Sequence, residues 1–129
     1  MSGFAGIFIR RACAAQPPLP LAPRPSPLGI LGGTFDPLHY GHLRLAQELA
    51  QGLALGEARF IPAGLPPHRA QPFASPLQRL EMVRLGIDGN PLFSLDEREI
   101  FKPTPSYSVE TLLDLRRELP RLGLRREPV

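Results

Sequence analysis

Short apolar runs alternate along the chain with longer segments in which apolar side chains recur every three or four residues. The runs lie at residues 28–32, 58–62 and 92–96, and each has the length of a buried strand. A segment with helical spacing follows each run. The chain is therefore predicted to be α/β, with a Rossmann-like parallel sheet and crossover helices.

The three helical segments carry start and stop signals. The first covers residues 40–51, and the second is capped at Ser75 and ends near Gly86. The third is capped by Ser106 or Ser108. The apolar positions predicted to face the core are Leu43, Leu45, Ala46, Leu49, Ala50, Leu77, Leu80, Met82, Val83, Leu85, Val109, Leu112, Leu113, Leu115 and Leu119.

The N-terminal segment has a different composition. Residues 14–27 hold six prolines, which lack an N–H and favour extended or disordered chain. Residues 1–27 contain three arginines and no acidic residue, so they account for the whole net charge of +3. We interpret residues 1–27 as a disordered leader whose deletion leaves the melting temperature nearly unchanged, and residues 28–129 as the N-terminal portion of the folded domain. A transit peptide and a misassigned start codon are both compatible with this leader.

Charge and cysteine content narrow the function classes. Because residues 28–129 have no net charge, the pI of about 9.7 does not indicate a nucleic-acid-binding face. Cys13 is alone, which excludes a disulfide framework and fits a reducing compartment. No apolar run reaches the roughly 18 residues of a membrane span. We therefore expect a cytoplasmic protein without nucleic-acid or membrane partners, and the oligomeric state stays open.

The segment "GGTFDPLHYGH" carries the clearest chemical signal. Gly32 and Gly33 follow the first strand directly, where missing side chains let a phosphate approach backbone N–H groups. His39 and His42 are three residues apart at the start of the first helix, so they share a face beside its positive end. Gly41 between them keeps that face open. An imidazole can donate a hydrogen bond to a phosphate oxygen, and a protonated imidazole adds charge. The segment therefore predicts a nucleotide-phosphate site.

"GGTFDPLHYGH" resembles the signature of the nucleotidyltransferase superfamily with an HxGH motif, in particular that of the bacterial nicotinate-nucleotide adenylyltransferases. "PAGLPPHR", at residues 62–69, resembles that family's loop after the second strand. "DEREIFKPTPSYSVETL", at residues 96–112, resembles its acidic strand end and the helix start that follows. Thr104 replaces a usual glycine and Ser108 a usual threonine. The resemblance covers residues 28–119.

The resemblance implies transfer of the adenylyl group from ATP to nicotinate mononucleotide, a step of NAD biosynthesis. The attacking phosphate is already ionised at neutral pH, so catalysis requires positioning and charge stabilisation rather than a general base. His39 and His42 are the implied catalytic contacts to the ATP phosphates. The ATP-binding set is Gly32, Gly33, Thr34, Phe35, His39 and His42. Mg²⁺ is expected to be carried with ATP, because no cluster has the spacing of a protein-built metal site.

The acceptor is expected to bind at two later segments. His68 and Arg69 are the implied contacts to the mononucleotide phosphate, which arginine recognises well. Tyr107 and Ser108, at a helix N-terminus, are the implied contacts to the nicotinate carboxylate. Asp36, before Pro37, could be a catalytic carboxylate, but we favour a role in capping local backbone at a turn.

The family's later motifs have no counterpart in these residues. They include a glycine-aspartate segment, an aromatic residue for the pyridine ring and a phosphate-clamping Ile-Ser-x-Thr-x-Ile-Arg motif. The sheet is therefore predicted to be truncated after the third helix, with an open edge at its first strand, and the chain alone to be inactive and poorly stable. Two alternatives stay open: an inactive remnant with a partial phosphate site, and a related transferase acting on phosphopantetheine or glycerol phosphate.

Overall fold

The structure is a computed structural model, and it describes residues 4–9, 27–66, 70–105 and 107–119. Strands and helices alternate as the apolar pattern predicts, with one additional strand at the start. The elements in chain order are β1 Phe4–Ile9, β2 Leu28–Gly33, α1 Tyr40–Gly52, β3 Glu57–Pro62, α2 Pro76–Ile87, β4 Phe93–Leu95 and α3 Ser108–Glu118.

The sheet has four strands in the order β1-β2-β3-β4. β2, β3 and β4 are parallel, and each of the two connections between them contains a helix. This arrangement confirms the predicted α/β fold with a parallel sheet and crossover helices. The predicted bounds of the three parallel strands also agree with the structure to within one residue at each end. Because the three strands run in the same direction, the loops that follow them all emerge at one edge of the sheet.

The two faces of the sheet are covered by different helices. On one face Leu31 and Phe60 pack with Ala46 of α1 and Val83 of α2. On the other face the β-strand alternation turns the neighbouring side chains toward α3. The cluster there consists of Leu28, Ile30, Ile61, Leu115 and Leu119. Helices cover both faces of the sheet, so the central strands are buried on both sides. This burial explains why β2 is a continuous apolar run in the sequence.

The buried faces of α2 and α3 differ from the prediction. Leu77 and Leu85 of α2 are exposed, and the helix buries Arg79 instead. Val109 and Leu113 of α3 are exposed as well. Helical spacing predicted each helix correctly. It did not predict which of the apolar side chains are buried, because the sheet contacts only a narrow part of each helix surface.

The N-terminal segment departs most from the prediction. Residues Phe4–Ile9 form β1, which pairs antiparallel with the whole of β2, from Phe4 opposite Gly33 to Ile9 opposite Leu28. The expectation of a disordered leader was therefore wrong for Phe4–Ile9, and residues 10–26 lie outside the described residues. The expectation of an open edge at β2 was also wrong, because β1 supplies hydrogen-bonding partners to its backbone.

Candidate functional site

Two histidines meet at the N-terminus of α1, just after the turn that follows β2. His39 is the N-cap, and its imidazole Nδ1 accepts a hydrogen bond of 3.1 Å from the backbone N–H of Gly41. The backbone N–H of His39 in turn donates to Nδ1 of His42, also at 3.1 Å. The two rings are stacked, with centroids 3.8 Å apart and planes 32° apart. The structure therefore brings the predicted catalytic pair into direct contact.

The hydrogen bonds determine which nitrogen of each ring carries the proton. A neutral imidazole has one N–H donor and one acceptor nitrogen. In both rings Nδ1 accepts from a backbone N–H, so we assign the proton to Nε2. His39 and His42 therefore each present an Nε2–H group beside the helix N-terminus. Two such donors and the positive end of α1 favour a polyanionic ligand.

His42 is held more firmly than His39. Its side chain is buried, and its ring contacts the edge of Phe35 with centroids 5.1 Å apart. Burial lowers the pKa of His42, and the neighbouring His39 lowers it further. Near neutral pH His42 is therefore an uncharged hydrogen-bond donor. Phe35, itself buried, has a φ of 52°, a conformation that residues other than glycine seldom adopt, and it packs under His42.

Replacing Gly41 by alanine is expected to displace the imidazole of His39. A Cβ atom at this position would lie 2.9 Å from both Nδ1 and Cε1 of that ring. Since the exposed ring can rotate away, the loss of the cap should cost about 1 kcal/mol while removing one donor from the site. Thermal melts and Mg·ATP titrations would measure both effects. Gly52→Ala is the matched control, because no atom lies within 4 Å of its added Cβ. Unchanged ATP affinity in Gly41→Ala would contradict the role of His39.

Asp36 acts on a distant segment rather than on its own turn. Its carboxylate oxygens accept hydrogen bonds from the backbone N–H groups of Phe73, at 2.7 Å, and Ala74, at 3.0 Å. These residues directly precede Ser75, the N-cap of α2. The prediction that Asp36 caps local backbone at its own turn is therefore wrong, because Asp36 caps the backbone at the entrance of α2. With both oxygens engaged, the structure gives no support to the catalytic alternative.

Arg79 joins the turn after β2 to both ends of the loop between β3 and α2. Its guanidinium donates to the carbonyl oxygens of Thr34 at 2.8 Å and Gly64 at 2.9 Å, and also to those of Ala63 and Ala74. One signal in the sequence indicates the burial of this residue. Arg79 is spaced by four residues from Val83, so it lies on the buried side of α2.

The structure describes two of the four residues that are predicted to bind the acceptor. Tyr107 is the N-cap of α3 and Ser108 its first residue, and both are exposed. α3 follows β4, so this helix start and the histidine pair are both reached from the same edge of the sheet. α1 and α3 cover opposite faces, and ligands of such sheets bind in the crevice between the two sets of helices. His68 and Arg69 lie outside the described residues.

A buried carboxyl group supports the loop between β4 and α3. Glu99 is 8% exposed and accepts a hydrogen bond from the hydroxyl of Thr111, in the first turn of α3. The carbonyl oxygen of Glu99 lies so close to Gly64 that a side chain there would overlap it. The loops after β3 and β4 are therefore in tight contact. Burial raises the pKa of Glu99, and the Thr111 hydrogen bond offsets part of this shift.

Glu99→Gln is expected to stabilise the fold at neutral pH. A carboxyl group whose pKa is raised on folding contributes most at low pH, and its contribution falls as pH rises through the folded-state pKa. Glutamine removes the buried charge and can still accept the hydrogen bond from Thr111. The melting temperature of the variant should exceed that of the parent at pH 8, and the difference should close toward pH 4. The exposed Glu48→Gln is the control. A difference independent of pH would contradict the assignment.

The described residues contain no group of three or more His, Cys, Asp or Glu side chains arranged to hold a metal ion. Oxygen ligands from a nucleotide can serve a divalent cation without such a group. Within the same part of the chain, no helix is both long enough and apolar enough to cross a membrane.

Comparison with known proteins gives matches over most of the chain. The profile of the cytidylyltransferase-like family matches residues 30–120. A protein of Aeromonas hydrophila named "probable nicotinate-nucleotide adenylyltransferase" is 56% identical over 94 residues, which are 73% of this chain and 44% of that protein. A Dechloromonas aromatica protein of the same name is 59% identical over 93 residues, covering 72% of this chain and 43% of its own length.

The chain thus spans less than half the length of these relatives. Their printed names agree with the resemblance carried by the three sequence motifs. The matched residues include the parallel strands, the glycine turn and the histidine pair. Fold, site and profile together show that this chain belongs to the cytidylyltransferase-like family.

Proposed function

We propose that this chain provides the nucleotide-phosphate half of an enzyme that transfers an adenylyl group from ATP to nicotinate mononucleotide. The observation that carries the proposal is the contact of the His39 and His42 imidazoles at the N-terminus of α1, where Nδ1 of each ring accepts a hydrogen bond from a backbone N–H group. The names of the curated relatives support the choice of acceptor. The product is nicotinate adenine dinucleotide, released with pyrophosphate.

The histidine donors would bind the phosphate chain of ATP. A phosphate oxygen of the mononucleotide attacks the α-phosphorus, and the bond from that phosphorus to the pyrophosphate oxygen breaks. His42 donates to an α-phosphate oxygen as negative charge shifts during this displacement. The backbone of Gly32, Gly33, Thr34 and Phe35 lines the approach. Mg²⁺ bound to ATP would neutralise charge on the departing pyrophosphate.

The acceptor would bind toward α3. The positive end of the α3 dipole favours a carboxylate, and we assign the nicotinate carboxylate to Tyr107 and Ser108. His68 and Arg69 would hold the acceptor phosphate, on the resemblance of "PPHR" to the family loop. With these assignments, both substrates would bind at loops of one sheet edge, as an in-line displacement requires.

A chimera provides the test, because the chain covers 44% of the Aeromonas relative. Residues 28–119 would replace the matching segment of that protein, and pyrophosphate release would be measured with ATP and nicotinate mononucleotide. The parent relative is the positive control. Turnover on the order of 1 s⁻¹ or more, the low end for enzymes, is the expected result.

The acceptor assay separates the alternatives. Nicotinate mononucleotide, nicotinamide mononucleotide, phosphopantetheine and glycerol phosphate would be compared by kcat/KM, with ATP as donor for the first three and CTP for the last. Preference for phosphopantetheine or glycerol phosphate would replace the proposed acceptor. A folded chimera without any turnover, beside an active parent, would indicate that this chain is an inactive remnant.

A further inference from the structure

Arg79 has an unusual environment for a charged side chain. Its exposed fraction is 0%, and its guanidinium hydrogen bonds run to backbone carbonyl oxygens. Burial lowers the pKa of Arg79 and the charge of Asp36 partly restores it, but an arginine in a protein stays protonated. The dipoles of the carbonyl groups offset the free-energy cost of burying this charge. The net cost therefore depends on the positions of those carbonyl groups.

The carbonyl groups belong to three separate segments. Thr34 is in the turn after β2, Ala63 and Gly64 begin the loop after β3, and Ala74 precedes α2. One terminal nitrogen of Arg79 bonds to both Thr34 and Ala63, and the other bonds to Gly64. Because the guanidinium is a rigid planar fork, these bonds set the separation of the first two loops.

Other contacts in the same region strengthen this connection. Asp36, two residues after Thr34, bonds to the backbone of Phe73 and Ala74. The N–H of Ala63 donates to the carbonyl oxygen of Gly33 at 2.8 Å. The glycine turn, the loop after β3 and the entrance of α2 are therefore linked by several independent hydrogen bonds. Arg79 is the member that contacts all three segments.

We propose that Arg79 is a positioning residue that holds the phosphate turn and the loop after β3 at a fixed separation, so that ATP and the acceptor are aligned for reaction. The inference rests on the proposed function, since it assigns the two loops to the two substrates. In the structure Arg79 binds backbone carbonyls, so it acts through the loops rather than on a substrate. Misplacement of reacting groups by about 1 Å can cost on the order of 10²-fold in rate.

Three variants of the full 129-residue chain test the proposal. Arg79→Met keeps an unbranched apolar side chain and removes every donor. Arg79→Lys keeps the charge and loses the fork. Arg84→Met is the matched control, because Arg84 lies on the same helix, is about half exposed and pairs with Glu81 and Glu97. Hydrogen–deuterium exchange would measure the protection of backbone amides in the loops. Calorimetric titration with Mg·ATP would measure the affinity per folded molecule.

In Arg79→Met we expect faster exchange in residues 33–37 and 63–66 together, with β2 and β3 still protected. The Kd for Mg·ATP should rise by about 10-fold, or about 1.4 kcal/mol of binding free energy, because the turn after β2 is no longer held in place. Arg79→Lys should fall between parent and Arg79→Met, and Arg84→Met should match the parent. If Arg79→Met does not fold, Arg79→Lys decides the question, because parent-like exchange and affinity in that variant would overturn the proposal.

The two readouts separate failure of the inference from failure of the proposed function. If the parent chain binds no Mg·ATP, the proposal of a phosphate site is wrong. The exchange measurement then tests by itself whether Arg79 couples the two loops. Faster exchange in one loop only, or uniformly across the chain, would overturn the positioning role. Parent-like affinity per folded molecule in Arg79→Met would overturn it as well, since a residue needed only for stability would give that result.

Discussion

His42→Ala is expected to lower the turnover of the chimeric enzyme by about 10²-fold or more, the scale for losing one donor to a transition state. The substitution removes the buried Nε2–H group and leaves the backbone N–H of His39 without its Nδ1 acceptor. Turnover would be measured with saturating ATP and nicotinate mononucleotide and normalised to folded protein by circular dichroism. Gln51→Ala, exposed near the other end of α1, is the control and should keep the parent rate.

The pH dependence provides a second check on His42. Because its pKa lies below that of a free histidine, the imidazole is neutral and still a donor as pH rises above 6.5. Turnover that depended on a charged His42 would decline across this range, whereas a neutral donor predicts no loss between pH 6.5 and pH 8. A parent-like rate in His42→Ala would remove the residue from the catalytic assignment.

Deleting residues 1–9 is expected to destabilise the chain strongly. β1 pairs with all six residues of β2, and its removal exposes the backbone donors and acceptors along that edge. At a net value of roughly 0.5–1.5 kcal/mol for each hydrogen bond, the loss should be on the order of 3 kcal/mol. The melting temperature should fall by more than about 10 °C, and the variant should aggregate more readily.

Two further variants show whether strand pairing causes this loss. Gly6→Pro removes one N–H of β1, at the position opposite Leu31, and should reproduce part of the destabilisation. Replacement of residues 10–26 by a glycine-serine linker of equal length keeps β1 and should leave the melting temperature close to that of the parent. A melting temperature unchanged by the deletion would restore the interpretation of residues 1–27 as a dispensable leader.

Local patterns were sufficient to predict the parallel strands and the three helices. A run such as residues 28–32 identifies a strand because burial on both faces requires apolar side chains at every position. The capping residue Ser75 and the following Pro76 located the start of α2 because their effects are local to the first turn. The histidine pair could be predicted for the same reason, since residues three apart on a helix are neighbours.

Long-range partners were not predictable in this way. The spacing of Arg79 from Val83 indicates the buried side of α2, but it does not identify the carbonyl groups that the guanidinium contacts. Its burial depends on carbonyls that lie 45, 16 and 15 residues away in the chain. Asp36 was predicted to cap backbone, but the backbone it caps is 37 and 38 residues away.

The sequence by itself determined the order of the parallel strands and the three helices, the turn that holds Gly32 and Gly33, and the side-by-side placement of His39 and His42, because each depends on neighbours within a few residues. Only the tertiary structure decided that Phe4–Ile9 covers the edge of β2 and that Arg79 joins the loops after β2 and β3. Strand pairing and the burial of a charge both depend on groups brought together by the folded chain. The free energy of these interactions therefore depends on the tertiary structure and cannot be predicted from a short segment of the sequence.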